Sequence, residues 1–377
     1  MKAIYYTSQR LLEKARSRTD DRPRELPRNF DWEAPLSGLL GPAGVGKTTL
    51  LLRHILDTHA EKASLYVHAG DLYTSRQGSL LDLAQDFVGK EGEYLYIDDL
   101  HCSCVWMKEI AEIHQLFPKL KVIYAGSLLL KGEVAGEQTT LSYLTLREYI
   151  NRKEHLRLSP ESLPDLLSGK KGGFPFAVLR PEDYWAEYRW NGCYPFFEES
   201  DFEAFVVEAV NKTVSEEIPR FKKMTAPTAD RFRSLASYLL EEAPLRPNFL
   251  KIERELGINR NELSDYITLL DKAGVILIDK TDGEIPPNRR YTVRAANPQI
   301  ARIYSRQVDT EPWEETLFRQ WTRNRPDFSH RSPSVYTFDG YRFRIGDGGA
   351  AGERVVTNDV DMPHEGKAPL WAFGFLR

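Results

Sequence analysis

Residues 37–59 read SGLLGPAGVGKTTLLLRHILDTH, and three features meet in that stretch. An apolar run with β character, SGLLG, ends at Gly41. Gly41 to Thr48, GPAGVGKT, then fits G-x-x-x-x-G-K-[ST] in full. Apolar residues at helical spacing follow from Thr48 to His59. A glycine-rich turn between a strand and a helix lets backbone N–H groups curl around phosphate, where a Cβ would obstruct them. The helix that starts there points its positive end at the same anion. The stretch therefore predicts a phosphate-binding loop formed by Gly41, Pro42, Ala43, Gly44, Val45, Gly46, Lys47, Thr48 and Thr49. Lys47 is placed to reach the β and γ phosphates of ATP, and Thr48 to put its hydroxyl on Mg2+.

Further along, short apolar runs alternate with helical patterns. SLYVHAG (64–70), EYLYIDDL (93–100) and KVIYAGS (121–127) read as strands; 79–88 and 105–116 read as helices. This alternation predicts βαβ units and a parallel sheet with helices on both faces, the α/β architecture of P-loop NTPases. Open sheets of this kind bind ligands at the carboxyl ends of their strands. Asp98 arrives at such an end and is the second candidate magnesium ligand. Asp99 follows it as the candidate base that positions water, although hydrolytic P-loop ATPases usually carry the longer Glu there. Ser127, at the tip of the next strand, is the candidate γ-phosphate sensor. A serine after a glycine is equally an ordinary turn.

The rest of the chain divides by pattern. Residues 1–35 predict a helix (9–18) and a charged, proline-punctuated linker, TDDRPRELPRN. The P-loop domain spans 36–155, and an aromatic-rich connecting region 156–228. Between 229 and 305 the order changes. ADRFRSLASYLLEE, NFLKIERELG and NRNELSDYITLLDKAG read as three helices, and VILIDK and RRYTVR as a hairpin around an IPPN turn. That order predicts a winged helix-turn-helix. Residues 306–377 predict a small α+β region in which PLWAFGFL (369–376) is a strand or buried segment.

Composition bounds the function. The 377 residues carry a formal net charge of −4 with 41% hydrophobic and 28% charged residues, ordinary for a globular protein and unlike a chain wrapped broadly on DNA. Cys102, Cys104 and Cys193 make no disulfide framework, and Cys-x-Cys beside His101 and His114 lacks zinc-ligand spacing. With no apolar leader and no run of ~20 apolar residues, the expectation is a cytoplasmic protein.

GPAGVGKTTLL, YLYIDDLHCSCVWMKEI, KVIYAGSLLL and LSYLTLREYI resemble a known group, with a weaker echo in YRWNGCYPFF (188–197). It comprises prokaryotic AAA-type ATPases with an N-terminal P-loop module, a winged helix and a C-terminal restriction-endonuclease-like region. The resemblance covers about Ser37 to Ile303. It implies that Lys47 and Thr48 are the Walker A pair, Asp98 the Walker B aspartate and Ser127 the first sensor.

Departures from the group are equally informative. Asp99 stands in place of Glu, and the Gly-Arg step before the LSYLTLREY segment is missing, leaving only Arg147 and Arg152 as finger candidates. The tail offers Glu315, Asp339 and a literal Glu365-Gly366-Lys367. That match lies between prolines, poor context for metal held on strands, so the tail reads as a degenerate nuclease-like remnant. Glu262, Asp265 and Asp271 on the third helix of the winged helix oppose phosphate contact. A protein partner or self-association is favoured there over DNA. The expectation is an ATP-binding AAA-type ATPase or switch. The alternatives are an ATP-gated nucleic-acid-binding regulator and, less favoured, a metal-dependent nuclease.

Overall fold

The computed structural model describes residues 2–17, 24–27, 30–58, 61–71, 78–168, 180–279, 291–307, 313–325, 327–332, 334–346, 348–358, 363–364 and 366–376. Several expected features lie outside these: Arg18, His59, most of the linker, the IPPN turn and Glu365 of the Glu-x-Lys match. The chain forms two compact units that do not follow its linear segments. The first takes 1–142, 208–229 and 272–274; the second takes 143–207, 230–271 and 275–377.

The first unit opens with α1 (Lys2–Ser17) and contains β1 (Leu36–Leu40), α2 (Lys47–Asp57), β2 (Ser64–His68), α3 (Leu80–Val88), β3 (Tyr94–Asp98), α4 (Cys104–Leu116), β4 (Lys121–Gly126) and β5 (Glu137–Thr140). The five strands make one parallel sheet in the order β2-β3-β4-β1-β5, flanked by helices: the P-loop NTPase fold. Nearly every residue of β1, β3 and β4 is buried, as a sheet covered on both faces requires. Leu65, Val67, Leu95, Ile97, Val122 and Tyr124 meet Leu83, Phe87, Trp106 and Ile110 in one core cluster.

Pattern reading does not anticipate β5. Its sequence, EQTT, is polar, and it is a strand because it pairs with β1 at the sheet edge, Leu39 opposite Thr139. Register fixes the ligand edge: β2 ends with His68 opposite Asp98, and β1 ends with Leu40 opposite Gly126.

Within the second unit, α5 (Leu146–Lys153) begins in a capping box. The Thr145 hydroxyl accepts from the Glu148 N–H, and the Glu148 carboxylate accepts from the Thr145 N–H. Then come α6 (Leu163–Ser168), α7 (Pro181–Asn191) and α8 (Phe202–Lys212), whose last residues join the first unit. A π-helical turn (Thr213–Glu217) and α9 (Ile218–Phe221) follow there. Next are α10 (Ala226–Glu241), α11 (Phe249–Leu256) and α12 (Arg260–Lys272). Antiparallel β6 (Ile276–Asp279) and β7 (Thr292–Ala295) come after these.

After α13 (Pro298–Tyr304) and α14 (Trp313–Thr322), the strands β8 (Ser329–Ser332), β9 (Val335–Phe338), β10 (Tyr341–Ile345), β11 (Arg354–Thr357) and β12 (Lys367–Pro369) form a mixed sheet in the order β12-β11-β10-β9-β8. Phe318 of α14 sits at the centre of a ring cluster, 5.4 Å from Tyr336, 5.9 Å from Phe338 and Phe343, and 4.9 Å from Phe373. Phe373 belongs to α15 (Leu370–Phe373), so the apolar tail is a buried segment and its centre is helical. Leu370, Trp371, Phe373 and Phe375 are all buried.

Beside that cluster, the carboxylates of Asp279 and Glu315 gather with His330, their ligand atoms within 4.8 Å of one another. These are metal-ligating residue types, but two guanidiniums face the two carboxylates. Arg294 donates to Asp279 at 3.1 Å and Glu315 at 3.0 Å; Arg319 lies 3.7 Å from Asp279. The Tyr336 hydroxyl donates to the other oxygen of Glu315 at 2.6 Å. With His330 Nδ1 3.3 Å from Asp279, the group forms an ion-pair network. Asp339, the other acidic candidate of the tail, sits in the β9–β10 turn paired with Arg325.

Removing one member of a buried pair costs more than the pair contributes, because the partner charge stays buried. Arg294→Met is therefore expected to destabilise the protein by about 3 kcal/mol or more. Urea denaturation checks this, and a loss near zero would mean that the network is well solvated.

Candidate functional site

The loop after β1 is shaped by its glycines. Gly44 and Gly46 have φ of 81° and 99°, the left-handed region that a side chain disfavours. Gly46 is the N-cap of α2 and offers no side chain to cap it, so the first N–H groups of α2 face the loop without a side-chain acceptor. Lys47, 7% exposed, donates from Nζ to the carbonyls of Gly41 at 2.9 Å and Pro42 at 2.8 Å. Burial lowers its pKa, and the neighbouring charges of Glu217, Asp99 and Asp98 oppose that effect.

Thr48 and Asp98 are 50 residues apart in sequence and meet directly. The Thr48 hydroxyl donates to Asp98 Oδ2 at 2.5 Å. The same oxygen accepts from the Tyr66 hydroxyl at 2.6 Å, and Asp98 Oδ1 accepts from the Asp99 N–H at 2.9 Å. An oxygen-donor pair of this kind, a hydroxyl against a carboxylate, fits a magnesium ion. Burial and the adjoining Asp98 charge push the Tyr66 phenol far above its ordinary pKa, so it remains a donor.

Asp99 has φ of 49°, unusual for a residue with a side chain, and is 6% exposed. Its Oδ2 accepts from two groups, His68 Nε2 at 3.0 Å and Lys212 Nζ at 2.6 Å. Burial alone would raise the Asp99 pKa. The His68 hydrogen bond and the charge of Lys212 outweigh it and hold the carboxyl well below the usual carboxylate range. The same bond raises the pKa of His68. The Gly70 N–H works in the opposite sense: at 3.0 Å it donates to Nδ1, the lone pair that protonation would use.

Ser127 is 1% exposed, at the end of β4. Its hydroxyl accepts from the Leu129 N–H at 3.4 Å and its own N–H donates to His101 Nδ1 at 3.3 Å. His101 Nε2 lies 3.6 Å from the buried Glu217 carboxylate. Thus Gly41–Thr49, Asp98, Asp99 and Ser127 all lie in the first unit, on the loop and at the carboxyl edge of its sheet. The finger candidates lie in the second unit, where Arg147 donates to the Leu158 carbonyl at 2.8 Å and Arg152 to that of Pro195 at 3.2 Å.

Tyr66, His68, His101, Lys212 and Glu217 escape motif reading. For Tyr66 and His68 a signal exists, since polar residues at alternate positions of the strand SLYVH end beside Asp98. Lys212 stands 113 residues from its partner and has no local signal.

Residues 33–154 match a family model described as an AAA domain. No curated protein matches the chain. Among solved structures, Cdc6p from Pyrobaculum aerophilum is similar at 14% identity and a TM-score of 0.27, covering 82% of this chain and 97% of that one. AMPPCP-bound DnaA from Aquifex aeolicus is similar at 15% identity and a TM-score of 0.25, covering 71% and 86%. PCH-2 from C. elegans reaches 16% identity and a TM-score of 0.28, covering 56% and 69%. Such distant likeness adds nothing to what sheet order and loop geometry establish directly. Among the described residues no helix is long and apolar enough to cross a membrane.

Asp98 depends on the Tyr66 hydroxyl for one of its donors. Tyr66→Phe is expected to lower stability by about 1.5–3 kcal/mol, the usual worth of a hydrogen bond to a charged group. Denaturant unfolding at neutral pH measures it, and an unchanged midpoint would show that water replaces the phenol.

Proposed function

We propose that the first unit binds ATP with magnesium and hydrolyses it, and that the second unit carries the response. The observation that supports this most is the meeting of three elements at one sheet edge. They are the Gly41–Thr48 loop leading an uncapped helix, the Lys47 ammonium, and the Thr48–Asp98 pair at 2.5 Å.

In this reading the backbone N–H groups of Gly44 to Thr48 and the Lys47 ammonium hold the β and γ phosphates. Thr48 Oγ1 and Asp98 would hold the magnesium ion, which would supply positive charge against the phosphates. Asp99 orients the attacking water through a carboxylate oxygen. With its pKa far below neutral, Asp99 is always ionised near pH 7, so its contribution is mainly orientation. Ser127, adjacent to Gly126 at the end of β4, is the proposed contact that reports the terminal phosphate.

We read α10, α11, α12 and the β6–β7 pair as a winged helix. On α12 Arg260, Asp265 and Lys272 are exposed and Glu262 and Asp271 half-buried, a face of mixed charge that we read as suited to a protein partner or a second copy more than to DNA.

Lys47→Ala is expected to abolish Mg-ATP binding while leaving the melting temperature within a few degrees. Titration calorimetry showing unchanged affinity would sink the nucleotide assignment. Asp98 and Asp99 separate in a second measurement. Asp98→Ala should weaken magnesium-dependent binding, whereas Asp99→Asn should retain binding and lose about a hundredfold or more in turnover. Equal loss of affinity in both variants would refute the division of roles.

A further inference from the structure

Lys212 has no part in any motif, yet its ammonium lies 2.6 Å from the one carboxylate read above as positioning water. Its place is built. Lys212 is the last residue of α8 and the N-cap of the π-helical turn Thr213–Glu217, a widened turn of the kind found at functional positions. That turn is anchored from beneath. Glu217, 2% exposed, lies 3.6 Å from His101 and accepts from the Thr213 hydroxyl at 3.3 Å. Lys212 itself remains 39% exposed along its side chain, so its ammonium retains room to move.

The charge balance says what it is for. Lys47 and Lys212 stand against Asp98, Asp99 and Glu217, and each of these groups contributes to the electrostatics felt at Lys47. With both histidines neutral the cluster carries two positive and three negative charges. A nucleoside triphosphate with one magnesium ion brings further negative charge, the largest share of it on the terminal phosphate. An ammonium shared with a single carboxylate oxygen gains by moving to that phosphate, which offers three acceptor oxygens. A diphosphate lacks the group that competes.

Building on the nucleotide site proposed above, we infer that Lys212 is a second phosphate-contacting cation. It is supplied by the chain itself and exchanges from Asp99 to the terminal phosphate of ATP. The exchange has two consequences. Asp99 Oδ2 loses one of its two donors and becomes available to water only when a triphosphate is present. The π-helical turn and α9, which follow Lys212 directly, register the difference between triphosphate and diphosphate.

The test compares Mg-ATP and Mg-ADP affinities of the full chain for wild type, Lys212→Met and Lys212→Arg, with turnover measured alongside. Lys212→Met is expected to lose about tenfold to a hundredfold in ATP affinity, the worth of a charged hydrogen bond, with ADP affinity within about twofold of wild type. Lys212→Arg should restore most of the preference, which a purely structural role of the aliphatic stem would not require. Equal loss for both nucleotides, or unchanged ATP affinity in a folded Lys212→Met, overturns the exchange while leaving the site in place. Wild type that binds neither nucleotide would overturn both readings, and that result is distinct from either of the others.

Discussion

Two adjacent carboxylates, Asp98 and Asp99, are buried at the end of one parallel strand, and the surrounding site is arranged to satisfy them. Burying an ionised carboxylate without donors is costly enough that the group would neutralise instead. Asp98 is held by Thr48 and Tyr66 on one oxygen and by a backbone N–H on the other. Asp99 is held by His68 and Lys212. Their donors come from four places in the chain: the start of α2, β2, the residue after β3, and the end of α8. Parallel pairing makes this possible, since it brings the ends of neighbouring strands to one level and sets His68 opposite Asp98.

The two carboxylates share a location and differ in their donors, and this sets their chemistry apart. Asp98 takes neutral donors, one of which, Thr48, is the metal ligand proposed above. An ion placed there would add a positive charge that the phenol and hydroxyl do not supply. Asp99 takes a cation, which stabilises its charge so well that it makes a weak base while the pair persists. A left-handed backbone at Asp99, with φ of 49°, turns its side chain from the path of Asp98 toward His68 and Lys212. Strain of that kind persists where surrounding contacts determine it fully, as they do here.

Much of this was legible in the sequence, where the signal is local. The phosphate loop, β1 to β4 and the strand carrying Asp98 follow from glycine placement and from apolar runs alternating with helical periods. So does the order of three helices and a strand pair between 226 and 295. What was not legible depends on pairing at a distance. The polar strand β5 exists because β1 has a free edge. Leu146–Lys153 sits inside the stretch read as the P-loop domain, yet its helix packs with the second unit, as the Arg147 N–H donating to the Gly374 carbonyl shows. The segment 208–229 falls within what reads as a connecting region and clusters with the first unit, bringing Lys212 and Glu217 with it. No window of sequence contains that information.

A comparison of the two buried ion clusters sharpens the case for exchange at Lys212. In the second unit, Asp279 and Glu315 are matched by Arg294 and Arg319. Arg294 bridges both carboxylates through one nitrogen, Nη2, and is 8% exposed. A guanidinium in that setting is pre-organised and always charged, and moving it would strand two buried negative charges. Such a cluster suits a fixed joint between strand β6 and helix α14. In the first unit the corresponding cation is a lysine on a flexible stem, only partly buried, making a single contact to Asp99. An ammonium behaves as a point charge whose donors can be redirected by rotation about the stem. If it leaves, Asp99 still has the His68 N–H. One cluster is therefore built to stay closed and the other to open at small cost, and the one that opens lies beside the phosphate loop.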